Sequence, residues 1–337
     1  MWGPGRIALV VLAAVAAALA CAAAAAPGPR PAHADPPDVV LVTGDCDSGN
    51  IICGPFVRAA KRTGARARIV SPDAREDIVG TLSLLARQRH DLVVTDIFLA
   101  RELAEVAPKF PRTRFALFDG PLVIVDGTPS NVAAVLIRPN EAAYLAGWLA
   151  ARLERSRPGP DIVGVVGGEP IPPVQDFVLG FRAGAKAASP RVTVLTGYSL
   201  DFTDPTKCAT VARRQIAQGA GTVFDVAGGC GPGTLAAAKA AGVWAIGVDE
   251  DRAGLGPHIL TSVVKRYDRA MAILMRGAKS GHLGFGRTTT IGLRAGGAEL
   301  GRISRRVPAG VLAELAAVRA RVVAGKVRVP GITIPGP

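Results

Sequence analysis

Polar residues and glycines follow four of the apolar runs in this sequence, and these residues are the best placed to do chemistry. The four segments are Gly44-Asp45-Cys46-Asp47, Phe118-Asp119-Gly120, Ala227-Gly228-Gly229-Cys230-Gly231 and Gly247-Val248-Asp249-Glu250-Asp251. A carboxylate such as Asp249 at a strand end can accept two strong, charge-assisted hydrogen bonds from a cis-diol. An aspartate directly after a strand is equally suited to cap the helix that follows. Residue type alone leaves both roles open.

Other residues near these segments also suit ligand binding. Gly228-Gly229 allows the backbone to approach a ligand closely, or forms a tight turn before a helix. Lys265 follows the apolar run 259–264 and could offer a cation, although a lysine at a strand end is usually solvated. The glycines do not form a phosphate loop, because no Gly-Lys-Ser/Thr ending follows them.

Residues arranged for catalysis are sparse. The histidines are His33, His90, His258 and His282. None of them lies in a pattern that pairs a base with a nucleophile, and no Gly-x-Ser-x-Gly turn is present. The adjacent acids at 249–251 could hold a metal, but such acids on a loop are usually solvated or cap a helix. The sequence favours a binding protein over an enzyme and indicates no cofactor.

The first 34 residues differ from the rest and predict a secretory signal. Arg6 gives a basic start, residues 7–20 are almost wholly Ala, Val and Leu, and Ala32-His33-Ala34 offers small residues to a signal peptidase. We predict cleavage after Ala34 and export. Cys21 offers an alternative as a lipid-bearing first residue, although Ala18 is a poor match to the branched residue usual three positions earlier.

Composition indicates a basic globular protein larger than one average domain. The chain has 337 residues, 49% of them hydrophobic and 20% charged, and a net charge of +13. Removing residues 1–34 takes away two arginines and no acid, so the charge becomes +11. The basic residues are scattered and rarely alternate with aromatic ones, so we expect no nucleic-acid binding.

Four cysteines follow the predicted signal, namely Cys46, Cys53, Cys208 and Cys230. An even number in an exported protein indicates disulfides, and three pairings are open. We favour Cys46 with Cys53 and Cys208 with Cys230, because each pair then lies within one lobe. A zinc site is less suited, because the short cysteine spacing and nearby histidines that such sites use are missing.

Short β-branched runs alternate with helical patterns from residue 39 onward, which predicts parallel sheets covered by helices on both faces. We expect a first α/β lobe at 35–137, a second at 138–262, a return to the first lobe at 263–285, and C-terminal strands and a tail at 286–337. A ligand is expected between the lobes, at the carboxyl ends of the strands.

Several collinear segments resemble the basic membrane protein family, the solute receptors that include bacterial purine-nucleoside receptors. The matching segments are Asn140-Glu141-Ala142-Ala143-Tyr144-Leu145-Ala146-Gly147, Val166-Gly167-Gly168, Ile171-Pro172-Pro173-Val174-Gln175, Gly180-Phe181-Arg182-Ala183-Gly184, Phe202, Asp204-Pro205, Val223-Phe224-Asp225-Val226-Ala227-Gly228-Gly229, Ala245-Ile246-Gly247-Val248-Asp249 and Leu260-Thr261-Ser262-Val263-Val264-Lys265. The resemblance implies a two-lobed periplasmic-binding-protein-like fold of type I, in which each lobe is a mostly parallel sheet flanked by helices.

The resemblance also implies roles for individual residues. Asp249 corresponds to the carboxylate that binds the ribose diol, and Lys265 to its cationic neighbour. Phe224 corresponds to a ring that stacks on the base, and Gly228-Gly229 to the backbone beside the ribose. Asp119 corresponds to the acid at the matching strand end of the first lobe.

The loop after the first strand departs from the family pattern. Family members tend to carry an aspartate-rich turn followed by Ser-Phe-Asn, and Ile51 stands where the second stacking ring is expected. Asp45 and Asp47 remain able to bind a base edge, and Phe98 could supply a substitute ring. Because stacking contributes about 1–3 kcal/mol per base, a weaker or different ligand, such as a riboflavin-like heterocycle, stays open.

The resemblance implies an extracytoplasmic solute-binding protein of an ABC importer, which binds a purine nucleoside or related heterocycle and works with separate permease and ATPase chains. A ligand-sensing domain of a signalling system is the alternative. An envelope enzyme that processes nucleosides is a further one, but it would need a clustered set of acids.

Overall fold

A computed structural model describes residues 35–44, 46, 51–72 and 75–332, with no side-chain description for residues 75 and 76. The predicted signal segment 1–34, its cleavage site, Cys21, Asp45 and Asp47 lie outside the described residues.

Strands and helices alternate along the described chain. The strands are β1 (Asp38–Val42), β2 (Arg66–Val70), β3 (Leu92–Asp96), β4 (Phe115–Phe118), β5 (Val132–Ile137), β6 (Ile162–Gly167), β7 (Thr193–Tyr198), β8 (Thr222–Val226), β9 (Trp244–Asp249), β10 (Ile259–Lys265), β11 (Thr288–Ile291) and β12 (Ala298–Leu300). The α-helices are α1 (Cys53–Thr63), α2 (Arg75–Arg87), α3 (Ala100–Val106), α4 (Asn140–Glu154), α5 (Pro172–Ala188), α6 (Pro205–Ala217), α7 (Pro232–Ala241), α8 (Tyr267–Ser280) and α9 (Ala309–Val323).

The strands form two six-stranded sheets, which confirms the predicted fold class. The first has the order β11-β5-β4-β3-β1-β2, and the second has the order β12-β10-β9-β8-β6-β7. Pairing is parallel except between β10 and β12. Strands β3, β4, β5 and β8 are buried at every position, because helices cover both faces of a parallel sheet. The first sheet takes its strands from residues 38–137 and 288–291, and the second from residues 162–265 and 298–300.

The chain crosses between the sheets three times in the described residues: after β5, after β10, and between β11 and β12. The predicted boundary at 262/263 falls inside β10, all of which lies in the second sheet, so the return begins at Arg266. The crossovers are joined by hydrogen bonds from Arg138 N to Ile291 O (2.9 Å) and from Arg266 N to Gly297 O (2.8 Å). They therefore lie side by side.

Helices α4 and α5 pack backbone to backbone in the second lobe. A Cβ atom at Gly180 or Gly184 would collide with the carbonyl oxygen of Asn140 or Tyr144, and one at Gly147 with that of Phe181. Only glycine permits this approach. The packing explains why Gly180 and Gly184 recur four residues apart, on one face of α5.

Two disulfides, Cys46–Cys53 and Cys208–Cys230, confirm the favoured pairing. The first fixes the start of α1 to the loop after β1. The second ties α6 to the turn after β8. No helix within the described ranges combines the length and apolar character needed to cross a membrane.

Candidate functional site

An ion pair joins the two lobes at the carboxyl ends of their strands. Lys265, the last residue of β10, donates from Nζ to Oδ2 of Asp119, which directly follows β4, over 2.8 Å. Asp119 Oδ1 also accepts a hydrogen bond from Ile137 N at 3.3 Å. The side chain of Lys265 is 8% exposed and that of Asp119 is 11% exposed, so the pair is largely shielded from water.

Lys265 is held charged by its surroundings. Burial alone would lower the pKa of its ammonium group, but the nearby carboxylates of Asp119 and Asp249 raise the pKa by more, and the net shift is upward. The ammonium also lies 5.4 Å from the ring centre of Phe177 and 6.0 Å from that of Tyr267, within reach of cation-π attraction. The site therefore presents a fixed cation beside two aromatic rings.

Asp249 ends β9 on the second-lobe side of the same site. Its Oδ1 accepts a hydrogen bond from the Tyr267 hydroxyl over 3.3 Å, and burial raises the pKa of its carboxyl group. The residue adopts a left-handed backbone with φ of 62°, a conformation that aspartate tolerates better than most residues. On the loop after Asp249, it is Asp251 that binds the backbone ahead of the 3-10 helix Ala253–Leu255: its Oδ1 accepts from Ala253 N at 3.1 Å.

A cavity of about 210 Å³ lies at this site between the lobes. The first lobe contributes Ile51, Pro55, Arg58 and the start of α8, and the second contributes Asp249, Glu250 and the end of β10. Ile51 thus lies beside the carboxylate and cation of the second lobe. The cavity combines carboxylates, cations and an apolar wall at Ile51 and Pro55, so both the hydrogen-bonding and the apolar groups of a ligand can contact it.

Phe224 does not line this cavity, and its role as a stacking ring stays a prediction. Its side chain is fully buried on β8 and packs against Phe181 (ring centres 5.2 Å apart) and Phe177 (6.2 Å) on α5. The rings beside Lys265 are instead Phe177 and Tyr267. Both positions carried a readable signal: Phe177 lies in the second turn of a helix that begins at the cleft edge, and Tyr267 follows Lys265 by two residues.

Gly228-Gly229 lies in an exposed 3-10 helix, Gly228–Cys230, directly after β8. Gly228 has a φ of 55°, and a Cβ on Gly229 would lie 3.1 Å from the carbonyl oxygen of Phe202. The Cys208–Cys230 disulfide anchors this turn. The glycines therefore have a structural role in the turn, in addition to any contact that they make with a ligand.

Phe98 follows β3 at the carboxyl edge of the first sheet, and its side chain is 75% exposed. The carboxylate of Asp96 fixes its backbone by accepting from Phe98 N at 2.9 Å. The ring is not part of the cavity wall in this conformation.

Asp225 is a buried acid that sequence reasoning did not single out. Burial raises its pKa to about 7, although the N–H of Ala227 donates to its Oδ1 at 3.0 Å. It lies on β8, beside the turn that carries Gly228. In the described part of the chain, no group of three or more His, Cys, Asp or Glu side chains is arranged to hold a metal ion.

Comparison with known proteins identifies the family of this chain. The model of a family described as "ABC transporter substrate-binding protein PnrA-like" (Bmp) matches residues 57–332. The chain belongs to this family. Among similar proteins, a "CD4+ T-cell-stimulating antigen" of Listeria monocytogenes is 28% identical over 272 residues, 75% of this chain and 74% of that protein. The "ABC transporter nucleoside-binding protein BmpA" of Lactococcus lactis is 31% identical over 209 residues, 57% of each chain.

The fold agrees with this assignment. A solute-binding protein of an ABC transporter system from Aeropyrum pernix superposes with a TM-score of 0.74 at 22% identity, covering 88% of this chain and 94% of that one. At that identity the likeness shows the fold alone. The protein is thus a Bmp-family ABC transporter substrate-binding protein with the two-lobed solute-binding architecture.

Proposed function

We propose that this Bmp-family protein binds a nucleoside between its lobes and presents it to separate permease and ATPase chains. The observation that carries the proposal is the placement of Asp249 beside Lys265 and Tyr267 in a cavity that both lobes line. A ribose diol can donate to the Asp249 carboxylate, while the base lies toward Ile51 and the aromatic rings. The name of the Lactococcus relative supports the same ligand class.

Binding in this way couples the ligand to the relative position of the lobes. The cavity is smaller than the roughly 300–1,000 Å³ of typical ligand pockets, so the lobes adjust around the three crossovers as a ligand enters. The ligand then replaces or joins the contact between Asp119 and Lys265. A permease can distinguish the liganded shape because it contacts both lobes.

The protein works outside the cytoplasm in this proposal, either free or held by lipid on Cys21. The signal-like segment at 1–34 supports export, and the two disulfides suit an oxidising compartment.

Isothermal titration of the exported protein with adenosine, guanosine, inosine, cytidine and riboflavin tests the proposal. We expect micromolar or tighter binding of a purine nucleoside, with the nucleoside recovered unchanged. Conversion of the nucleoside would instead reveal an enzyme. An absence of binding for all five compounds would contradict the nucleoside assignment.

The role of Asp249 is tested by Asp249→Asn, with Asp251→Asn as a matched control on the same loop. Asp249→Asn weakens a ribonucleoside by about tenfold or more, because a charge-assisted pair of hydrogen bonds is lost. It leaves affinity for the 2′,3′-dideoxy analogue unchanged, since that ligand has no diol. An equal loss for both ligands would contradict a diol contact.

Uptake of labelled nucleoside by cells with and without the protein separates import from signalling.

A further inference from the structure

A second and larger cavity lies at the opposite edge of the first sheet. Its volume is about 650 Å³, and it opens beside the amino ends of β3 and β4, away from the carboxyl ends that carry the nucleoside site. The chain segments around it are the end of α2 with the turn into β3, and the segment that precedes β4. Nothing in the proposed transport cycle uses this cavity.

The wall of this cavity is strongly basic. It contains Arg87, Arg89, His90, Lys109, Arg112 and Arg114, and it contains no aspartate or glutamate. Two neighbouring acids offset part of this charge: Glu105 lies 3.1 Å from Lys109, and Asp38 lies 2.7 Å from Nδ1 of His90. The Lys109 pair is exposed and therefore weak. Arg87, Arg89 and Arg112 add further positive charge to this wall.

The segment that carries Lys109 and Arg112 is fixed before any ligand arrives. The side-chain amide of Asn131 lies 3.0 Å from the carbonyl oxygens of Ala107, Phe110 and Thr113. The guanidinium of Arg87 lies over the Phe110 ring at 5.5 Å. A fixed segment loses little entropy on binding, and arginine forks match the oxygens of a phosphate group.

The amino-terminal end of β1 lies next to this basic cavity. Asp38, the first residue of β1, contacts His90 of the cavity wall, and its backbone N–H donates to Asp91 at 2.9 Å. Residues 35–37 come directly before it, and the apolar run 7–20 and Cys21 precede them in the sequence. A membrane attachment at the amino terminus would therefore tether the protein from the face that carries this cavity.

We propose that the basic cavity binds a phosphate-type anion, supplied by the headgroups of an anionic membrane or by phosphate in solution. The placement beside the amino-terminal segment favours the headgroups. Contact there holds the protein near its permease by electrostatic attraction, independently of which nucleoside it binds. Attraction of this kind to an anionic surface grows with each basic side chain and weakens with salt.

The test uses the exported protein and a triple variant, Arg87→Gln, Lys109→Gln and Arg112→Gln. The matched control removes the same charge from exposed residues of the second lobe and the C-terminal helix: Arg213→Gln, Arg214→Gln and Arg319→Gln. Each protein is sedimented with vesicles of phosphatidylcholine alone or mixed with phosphatidylglycerol. Inorganic phosphate and pyrophosphate are titrated separately, and nucleoside affinity checks that the variants are folded.

We expect binding to the anionic vesicles alone, a loss of roughly tenfold or more in the cavity variant, and near wild-type binding in the control. Saturable binding of phosphate or pyrophosphate without vesicle binding, lost in the cavity variant alone, would support the anion site with a soluble source. Equal losses in the two triple variants would overturn the proposal, because net charge alone would then explain the binding. No binding of either anion source by the wild type would overturn it as well.

Discussion

Lys265 and Asp119 join the two sheets through a buried contact of 2.8 Å between Nζ and Oδ2. Each charge is shielded from water, so each depends on the other for compensation. Removing one member of such a pair leaves an uncompensated buried charge, which is costlier than losing an exposed pair.

We therefore expect Lys265→Met to lower the free energy of unfolding by about 3 kcal/mol and to weaken nucleoside binding as well. Lys207→Met, which breaks an exposed pair with Asp201, is the matched control and has little effect on either. Urea unfolding measures the first quantity and titration calorimetry the second. Adding Asp119→Asn to Lys265→Met restores part of the stability. A further loss in the double variant would contradict the coupling.

Phe177 and Phe224 are expected to differ in what their replacement changes, and this difference gives a second prediction. Phe177→Leu weakens nucleoside binding indirectly, because its buried ring lies 5.4 Å from the Lys265 ammonium and helps to fix it, and the change also lowers the free energy of unfolding. Phe224→Leu lowers the free energy of unfolding through lost core packing and leaves affinity unchanged, because its ring is buried between β8 and α5. Calorimetry and urea unfolding on both variants check this. The opposite pattern would return the stacking role to Phe224.

Ile51→Phe restores an aromatic ring where the family resemblance expects one. Because base stacking contributes about 1–3 kcal/mol, we expect nucleoside affinity to rise roughly fivefold to a hundredfold. Val57→Phe, on the exposed face of the same helix region, is the control and leaves affinity unchanged. Unaltered affinity in the Ile51 variant would show that the base does not lie against this wall.

Asp225 stabilises the folded protein more at low pH than at neutral pH. Its pKa of about 7 in the folded protein lies above the usual value of about 3.9 in an unfolded chain. The contribution of Asp225 to the free energy of unfolding is therefore fully present below about pH 3.9 and is lost as the pH rises through 7. Asp225→Asn removes this dependence. Relative to wild type, the variant gains roughly 3 kcal/mol between about pH 5 and pH 8, measured by urea unfolding.

Asp268 provides a control of opposite sign. Burial opposes its ionisation, but hydrogen bonds from Arg266 and Arg62 prevail and lower its pKa to about 2. Its stabilisation is present above about pH 4 and lost as the pH falls toward 2, so Asp268→Asn is less stable than wild type at neutral pH. A gain for Asp225→Asn that did not depend on pH would contradict the titration of Asp225.

The two disulfides have separable effects. Cys208 and Cys230 close a loop with a sequence separation of 22, and replacing both with serine lowers the free energy of unfolding by about 3 kcal/mol. Replacing Cys46 and Cys53 acts mainly on ligand affinity, because that bridge ties Cys46 to the start of α1, next to Ile51 in the cavity wall. Thiol titration of the denatured, exported wild type finds no free thiol. Four free thiols would contradict both bridges.

Much of the fold could be predicted because strand and helix patterns alternate cleanly, and because strand ends in a parallel sheet meet at one edge. That reasoning placed Asp119, Asp249 and Lys265 together, as the structure does. The stacking role of Phe224 came from the family resemblance and stays a prediction; because β8 is buried on both faces, the sequence has no polar alternation to show which side that residue faces. Sequence reasoning also missed Asp225, because an acid within a largely apolar strand gives no sign of how deeply the packed helices will bury it.

The three crossovers, hydrogen-bonded side by side, limit how the lobes can move. One flexible connection would leave two rigid bodies free to swing and to twist about it. Three adjacent connections suppress the twist and leave a single opening angle as the main coordinate. One distance between two labels, one in each lobe, therefore describes the whole conformational state. At partial saturation, its distribution is a weighted sum of an open and a closed peak, and the weights give the fraction of bound protein directly.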